Sequence, residues 1–145
     1  MSDFIKEWFQ WFEEGISNNK DNDTFFGVCG KRCANTGVIH VYEELYKQSD
    51  YDLNIFFERL NEINGLGGRI IKPDKEYEIL FKGCLCDLYT NGYIKTDVIC
   101  ECSRHSLNHI FKKLLVDKNI KIMKIETILG GAALCCFKII IDEEK

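Results

Sequence analysis

The amino-acid sequence predicts one α+β domain, with helices in its first half and mainly strands in its second half. A chain of 145 residues has the usual length of a single domain and can bury a hydrophobic core. Apolar residues recur at helical spacing up to Ile63, whereas strand-like runs begin at Arg69. The predicted parts are an aromatic helix and loop at 1–24, a helical part at 25–68, and a sheet at 69–145 with one helix near 103–116.

The first helix is predicted over residues 3–14 because its aromatic and aliphatic side chains are spaced by three and four residues. These side chains are Phe4, Ile5, Trp8, Phe9, Trp11 and Phe12. Such a face usually covers a core, and the alternative is that it docks a partner or closes a pocket. A polar loop is predicted to follow at 18–23.

The helical part contains the first cysteine motif. Cys29 and Cys33 are four residues apart and would share one face of a helix, which Gly37 is then expected to break. Two further helices are predicted at 38–46 and 53–63. The glycines that follow are predicted to form a turn; they are Gly65, Gly67 and Gly68.

The second half combines extended segments with one helix. Strands are predicted at 69–71, 77–82, 120–129 and 134–141. The segment 93–102, after a turn at Asn91-Gly92, is also predicted to be extended. Ser103 is a favourable N-cap for a helix that runs to about Val116. Gly130-Gly131 predicts a hairpin between the last two strands.

Charge and hydropathy exclude two classes of partner. The formal charge of -4 and the scattered lysines give no basic stripe, so we expect no nucleic-acid binding. The longest apolar run surrounds Ile139 to Ile141 and is far shorter than the ~20 residues of a membrane span. Because residues 1–14 mix charged and aromatic side chains, they are unlike a signal peptide, and we expect a cytoplasmic protein.

Eight cysteines in a reducing compartment indicate thiols, metal ligands or reactive groups rather than disulfides. Residues two apart in a strand point to one face, so Cys84 with Cys86, and Cys100 with Cys102, could converge on one patch. Four thiolates would make a closed zinc site. The one-residue spacing is shorter than in usual zinc loops and fits strand faces better.

A reactive thiol is the other interpretation of the same residues. Cys102 directly precedes a predicted helix N-terminus, which favours a thiolate, and Cys100 lies beside it. Cys29 lies near Lys31 and Arg32, whose positive charge has the same effect. The candidate nucleophiles are therefore Cys102, Cys100 and Cys29. Small core residues are the structural alternative for all of them, and solvated surface histidines are the expectation for His105 and His109.

Several motifs resemble an uncharacterised bacterial family. They are the two Cys-x-Cys pairs, the segment from Cys29 to Ala34, and the ending from Ile120 through Glu126 and Gly130-Gly131 to Ile139. This family is grouped with proteins similar to L-2-amino-thiazoline-4-carboxylate hydrolase and is distantly similar to the 4-vinyl reductase domain. The resemblance implies a ligand-binding α+β domain with helices packed on a mainly antiparallel sheet, often dimeric. It also implies that the first cysteine motif belongs to the site.

Three functions follow as expectations. The first is a small-ligand-binding or sensor domain with a cysteine-lined, candidate zinc-binding site, whose partners would be an unidentified small molecule and a second copy in a homodimer. The ligand-binding residues would be Cys29, Cys33, Cys84, Cys86, Cys100 and Cys102, with the last four as the candidate metal ligands. The second is a cysteine-dependent hydrolase of a small cyclic or amide substrate, so the sequence leaves open whether the domain is an enzyme. The third is a protein-association module that uses the aromatic N-terminal helix and has structural cysteines.

Overall fold

A computed structural model describes residues 2–18, 22–83, 87–93 and 100–142 of the chain. The helices are α1 (Ser2–Ser17), α2 (Asn22–Cys33), α3 (Ile39–Gln48), α4 (Leu53–Arg59), α5 (Asp87–Thr90) and α6 (Cys100–Leu114). The strands are β1 (Leu66–Lys72), β2 (Glu76–Phe81), β3 (Asn119–Glu126) and β4 (Cys135–Asp142). This order confirms the α+β class, with helices mainly before the sheet.

The four strands form one antiparallel sheet in the order β1-β2-β4-β3. The predicted hairpin is present, since β3 pairs with β4 across the turn that contains Gly131, whose φ is +102°. β2 pairs with β4, which follows it by more than fifty residues, so the intervening α6 crosses back over the sheet. Side chains that alternate along each strand give the sheet one strongly apolar face.

The hydrophobic core lies between that face and helices α4 and α6. Phe57 of α4 stacks on Tyr77 of β2, with ring centroids 4.4 Å apart and an interplanar angle of 9°. It also stacks on Phe111 of α6 at 5.9 Å. All three rings are fully buried, so one aromatic column joins both helices to the sheet.

The glycines after α4 do not form one turn as predicted. Gly65 has a φ of +87° and makes the turn, but Gly67 and Gly68 belong to β1. A Cβ at Gly68 would collide with the carbonyl oxygen of Phe57, so α4 packs directly on the strand backbone there. The side chain of Asn61 accepts a hydrogen bond from the Gly68 N–H (3.0 Å) and donates one to its carbonyl (3.1 Å). The glycines therefore serve close helix–strand packing.

Two other local predictions are wrong. Gly37 does not break the helical part, because a π-helical turn at Ala34–Val38 leads directly from α2 into α3. Ser103 is not an N-cap, because α6 begins three residues earlier, at Cys100. The first turn of α6 thus contains Cys100 and Cys102, which the sequence pattern predicts to be extended.

The turn at Asn91-Gly92 is present, but it follows a short helix. The N–H of Gly92 donates to the carbonyl of Tyr89 in α5 (2.9 Å), and Gly92 has a φ of +78°. Within the described residues, every helix is too short or too polar to cross a membrane.

Candidate functional site

The second Cys-x-Cys pair lies in a helix and not in a strand. Successive residues of an α-helix are rotated by about 100°, so side chains two residues apart leave the helix on nearly opposite sides. Cys100 is accordingly buried, whereas Cys102 is half-buried. The argument that one strand face presents both sulfurs therefore fails for this pair. Cys84 and Cys86 lie outside the described residues, so the four-thiolate zinc site stays a prediction.

The remaining described cysteines lie in two other elements. Cys29 and Cys33 belong to α2, where the first is half-buried and the second is exposed. Cys135 and Cys136 are buried on opposite faces of β4, and Cys135 is part of the core. In the part of the chain that the structure describes, no three cysteine sulfurs lie within 4.8 Å of one another. The described cysteines therefore do not converge on one point, and the thiol-lined site that includes Cys84 and Cys86 stays a prediction.

Helices α2 and α6 touch at Gly30. A Cβ on this glycine would lie 2.6 Å from the Cβ of His105 and 2.7 Å from both the carbonyl oxygen of Cys102 and the amide nitrogen of Ser106. Gly27, one turn earlier, faces the His105 ring at 3.7 Å. The segment around Cys29 therefore packs against the first turns of α6. This contact brings the Cys29–Cys33 motif close to the second Cys-x-Cys pair, Cys100 and Cys102.

An ion-pair network spans the same contact. Arg104 of α6 donates from Nη2 to Asp23 Oδ1 and from Nε to Glu101 Oε1, both at 2.7 Å. His105 Nε2 lies 2.8 Å from the same oxygen of Asp23. On the sheet side, Lys124 Nζ lies 3.1 Å from Glu101 Oε2. The network thus connects α2, α6 and β3.

Asp23, Glu101 and His105 hold possible ligand atoms within 4.8 Å of one another, close enough for the three residues to share a metal ion. Their oxygens, however, already accept hydrogen bonds from Arg104 and Lys124, whose two positive charges balance the two carboxylates. A cation would have to displace both bases. The chemistry of this donor set therefore fits an ion-pair network better than a metal site.

The network lowers the pKa of both carboxyl groups. The hydrogen bond with His105, with smaller contributions from Arg104, lowers the pKa of Asp23. Burial raises the pKa of Glu101, but hydrogen bonds from Arg104 and Lys124 outweigh it, so the net shift is downward. Both groups are therefore held in the ionised form.

The sequence pattern does not indicate the role of Asp23, which falls in the predicted loop at 18–23 and lies 82 residues from its partner His105. The sequence also predicts solvated histidines. The His105 side chain is only 14% exposed, and His109 Nε2 lies 3.2 Å from Asn35 Oδ1. No local signal in the sequence joins these pairs, because the contact depends on how α2 and α6 meet.

A second feature is an exposed apolar surface, which we call the α1 surface. It consists of Phe4, Ile5, Trp8 and Trp11 of α1 together with Phe25 and Val28 of α2. Each of these six side chains is at least 40% exposed, and Phe4 reaches 60%. Trp8 stacks on Phe12 at 5.7 Å, and Phe12 contacts the Phe25 ring at 5.8 Å, so the two helices contribute to one continuous patch.

Among the described residues, the ring contacts of α1 with other parts of the domain come from Phe9 and Phe12. Phe9 stacks on Tyr93 at 5.3 Å, and Phe12 packs against Phe25 of α2. Phe4, Trp8 and Trp11 are spaced by four and three residues and form a neighbouring stripe, in which Trp8 stacks on Phe12. The predicted apolar face of this helix therefore divides into a packed part and a solvent-exposed part.

Two open clefts in the described part of the structure border α3. One, of about 600 Å³, lies between α3 and the turn after α4 and is lined by residues that include His40, Val41 and Ile63. The other, of about 320 Å³, lies at the end of α3 and is lined by residues that include Tyr46, Tyr51 and Asp74. Neither is lined by a described cysteine.

Comparison with known proteins assigns no family to the chain. No family model matches it, and no curated protein matches it. Among solved structures, it is similar to a trafficking protein particle complex subunit 3 from Naegleria fowleri, described as covalently bound to palmitic acid. The sequence identity is 12%, the match covers 99% of this chain and 96% of that chain, and the TM-score is 0.46. A similarity of this size supports no statement about function.

Proposed function

We propose that this protein is a protein-association module that binds a partner protein through the α1 surface. The observation that carries the proposal is the exposure of both tryptophans of the chain, Trp8 at 47% and Trp11 at 56%, beside Phe4. Large contiguous apolar patches on soluble domains mark interaction sites, and aromatic side chains dominate the energetics of such interfaces.

The size of the patch agrees with this role. The exposed parts of its six side chains amount to an area on the order of 600 Å², since each aromatic ring offers roughly 150–250 Å² when fully exposed. A standard interface buries about 800 Å² on each partner, of which somewhat more than half is apolar. The α1 surface could therefore supply the apolar centre of one such interface.

The α1 charges beside Phe4, Trp8 and Trp11 favour a partner with basic side chains at that edge, whereas Lys31 and Arg32 follow Val28 by three and four residues at the α2 edge. Glu7 and Glu14 are exposed and lie four residues before and three residues after Trp11, so they border the stripe. The one base of α1, Lys6, lies against Gly92 on the packed side, with its Nζ 3.6 Å from the position of a Cβ there. A partner segment with an apolar stripe bordered by lysine or arginine would complement this arrangement.

The same charges disfavour two other occupants. Helices that lie on anionic membranes carry lysine and arginine beside the apolar face, not glutamate. In an antiparallel pair of α1 helices from two copies, the flank with Glu7 and Glu14 would face the same flank of the second copy, and like charges would oppose each other. A basic-flanked protein segment is therefore the favoured occupant.

Site-specific photocrosslinking in cells tests the proposal. A photoreactive phenylalanine analogue at position 11 is expected to capture a protein that the same analogue at Lys121, an exposed position on β3, does not capture. The captured protein, purified, should then shift the tryptophan emission of the wild-type chain to shorter wavelength, because both indoles lie in the proposed interface.

Matched variants give the quantitative test. Trp11→Ala should weaken binding of the purified partner roughly 30-fold, the effect of losing about 2 kcal/mol at an interface hot spot. Ile71→Ala, which trims an exposed apolar side chain of β1, should leave the affinity unchanged. Equal effects of the two substitutions would overturn the proposal. Crosslinks only to lipid would mean that the α1 surface binds a membrane and not a protein. Crosslinks only between copies of this chain would mean that it forms a homodimer interface.

The thiol-dependent functions remain separate proposals. Packing of the Cys29 segment against the first turn of α6, which contains Cys102, supports a shared thiol site at that helix contact. Protein purified without added metal should then contain about one zinc per chain by elemental analysis. Metal-free protein with all thiols titratable would remove the metal part. The cysteine-dependent hydrolase is tested separately, because it requires Cys102, Cys100 or Cys29 to be alkylated well before the other thiols.

A further inference from the structure

The 320 Å³ cleft combines aromatic rings with carboxylates. It lies where α3 ends and is bounded by the start of α4, the β1–β2 turn and the segment after α6. The side chains that matter for its chemistry are Tyr46, Tyr51, Asp52, Asp74 and Lys118. Its volume is in the lower range of small-molecule sites, which suits a ligand of only a few heavy atoms.

Two tyrosine rings form a corner in this cleft. The centroids of Tyr46 and Tyr51 are 5.4 Å apart, and the ring planes are inclined at 89°. Phe56 supports Tyr46 from the core side, with a centroid distance of 6.0 Å and an angle of 85°. Tyr51 is 64% exposed, so its ring remains open to solvent on the cleft side. An organic cation binds over exposed aromatic faces, as in aromatic cages, and the open Tyr51 ring beside Tyr46 offers such a surface.

The backbone holds this corner in an uncommon conformation. The non-glycine residues with positive φ in the described part of the chain are Asp50, Tyr51 and Asp74, at 55°, 60° and 68°, and all lie in the cleft or beside it. The Tyr51 N–H donates to the Tyr46 carbonyl (3.0 Å), which closes the chain reversal after α3. A tyrosine is rarely found at positive φ, so the fold maintains this ring position against a local conformational cost.

Two carboxylates line the same cleft and keep unused oxygens. Asp52 Oδ1 accepts from the Asn54 N–H (2.8 Å), and Asp74 Oδ1 accepts from the Asn54 side-chain amide (3.0 Å). Among the described residues, the Oδ2 atoms of both have no hydrogen-bond partner. Lys118 also lines the cleft, but no carboxylate in the described part of the chain lies within 4.0 Å of its ammonium group. The cleft therefore keeps an excess of negative charge.

We propose that this cleft binds a small organic cation of the methylated or quaternary ammonium class, with Tyr46 and Tyr51 against its methyl groups and Asp52 and Asp74 balancing its charge. A bare divalent metal fits less well, because no three carboxylate, thiol or imidazole groups of the described residues converge here within 4.8 Å. A neutral apolar ligand would leave both carboxylates uncompensated. This proposal is independent of the α1 surface, which lies on other elements.

Choline and its neutral isostere 3,3-dimethylbutan-1-ol have nearly the same shape and differ in charge. Comparing their binding therefore shows whether the cleft recognises the positive charge or only the shape of the ligand. We expect choline to shift the NMR signals of residues 46–52 and 74 in a saturable manner, with a Kd on the order of 1 mM, because an exposed two-ring site gives modest affinity. The neutral isostere at the same concentrations should bind at least tenfold more weakly. Sodium chloride at equal ionic strength should cause no saturable shift.

Variants locate the site. Tyr51→Leu removes one ring and should weaken choline binding about tenfold. Asp74→Asn keeps the contact to Asn54 and tolerates positive φ, and it should weaken choline binding about fivefold because it removes one negative charge. Tyr89→Leu, which removes an exposed tyrosine of α5, is the matched control and should have no effect. Equal binding of the two probes, or unchanged binding by a folded Tyr51→Leu protein, would overturn the proposal.

Discussion

Gly30 of α2 packs so closely on His105 of α6 that a Cβ on the glycine would lie 2.6 Å from the Cβ of the histidine. This distance is shorter than real Cβ contacts allow, and backbone atoms of Cys102 and Ser106 lie almost as near. The contact brings the His105 ring to Asp23, so the ion-pair network depends on a glycine at this position. Helix packing at Gly30 and electrostatics at Asp23 are parts of one arrangement.

We expect Gly30→Ala to destabilise the fold by about 1–3 kcal/mol, since the added methyl group must push α2 away from α6. The measurement is urea unfolding followed by circular dichroism. Gly15→Ala is the matched control, because a Cβ at Gly15 in α1 would meet nothing within 4 Å. That control should be neutral or should stabilise the helix by up to about 1 kcal/mol. An equally stable Gly30→Ala protein would show that the two helices are free to separate.

The second prediction concerns Gly68 in β1. A methyl group here would strike the carbonyl oxygen of Phe57, whose ring stacks between Tyr77 and Phe111. Gly68→Ala should therefore lower the free energy of unfolding by about 1–3 kcal/mol and weaken the near-UV circular dichroism of the aromatic column. Gly83→Ala, at a position with open space around it, should change neither quantity. A native near-UV spectrum with full stability in Gly68→Ala would contradict the direct packing of α4 on β1.

The third prediction is a pH dependence that arises from Asp23. Its pKa is lower in the folded chain than the ordinary value of 3.8, so the ionised form favours folding. This stabilisation is complete above the ordinary pKa and is lost as the pH falls through the lowered folded value. Asp23→Asn should thus be less stable than wild type at pH 7, by less than about 1 kcal/mol because the carboxylate is exposed.

The difference between Asp23→Asn and wild type should narrow as the pH is lowered below 4. Urea unfolding at pH 7, 5, 4 and 3 measures it. Asp142→Asn, at the exposed end of β4, serves as the control and should follow wild type at every pH. If the difference in the free energy of unfolding between Asp23→Asn and wild type stays constant down to pH 3, the Asp23 carboxylate is not stabilised by His105 and Arg104.

The fourth prediction is an order of cysteine reactivity. Among the six described cysteines, the exposed Cys33 should react first with iodoacetamide near neutral pH, whereas the buried Cys135 and Cys136 should react last. Burial, with a further contribution from Glu78, raises the pKa of Cys136 to about 11, so thiolate is scarce at pH 8. A time course with peptide mass spectrometry gives the order. Alkylation of Cys102 or Cys29 well before Cys33 would instead support the hydrolase interpretation.

The order and type of the main elements could be predicted because they depend on local patterns. The spacing of Phe4, Trp8 and Phe12 indicates a helix, and the run before Gly130-Gly131 indicates a strand that enters a hairpin. The sequence pattern places the start of this helix too late, because Ser103 is a favourable cap and Cys100 and Cys102 have no strong helix preference. In the structure Cys100 and Cys102 are helical, and α6 packs on α2 and β3.

The candidate sites were harder to predict, because each combines residues that are distant in the sequence. Tyr51 and Asp74 meet in one cleft only through the folding of β1 and β2 beside the end of α3. Tyr51 and Asp74 belong to no sequence motif, and aspartate in particular is common in loops and turns. Positive φ at Tyr51, the feature that makes the cleft unusual, has no sequence signal.

The sequence by itself determined that helices precede strands, that α1 has a wide apolar face and that no basic stripe exists, since these properties follow from residue types at fixed short spacing. Tertiary structure alone decided the strand order β1-β2-β4-β3, the contact between Gly30 and His105, and which part of α1 remains exposed. The physical reason is that these features depend on which surfaces pack together. A periodic pattern shows that a face is apolar, but only the packed chain shows whether that face is covered.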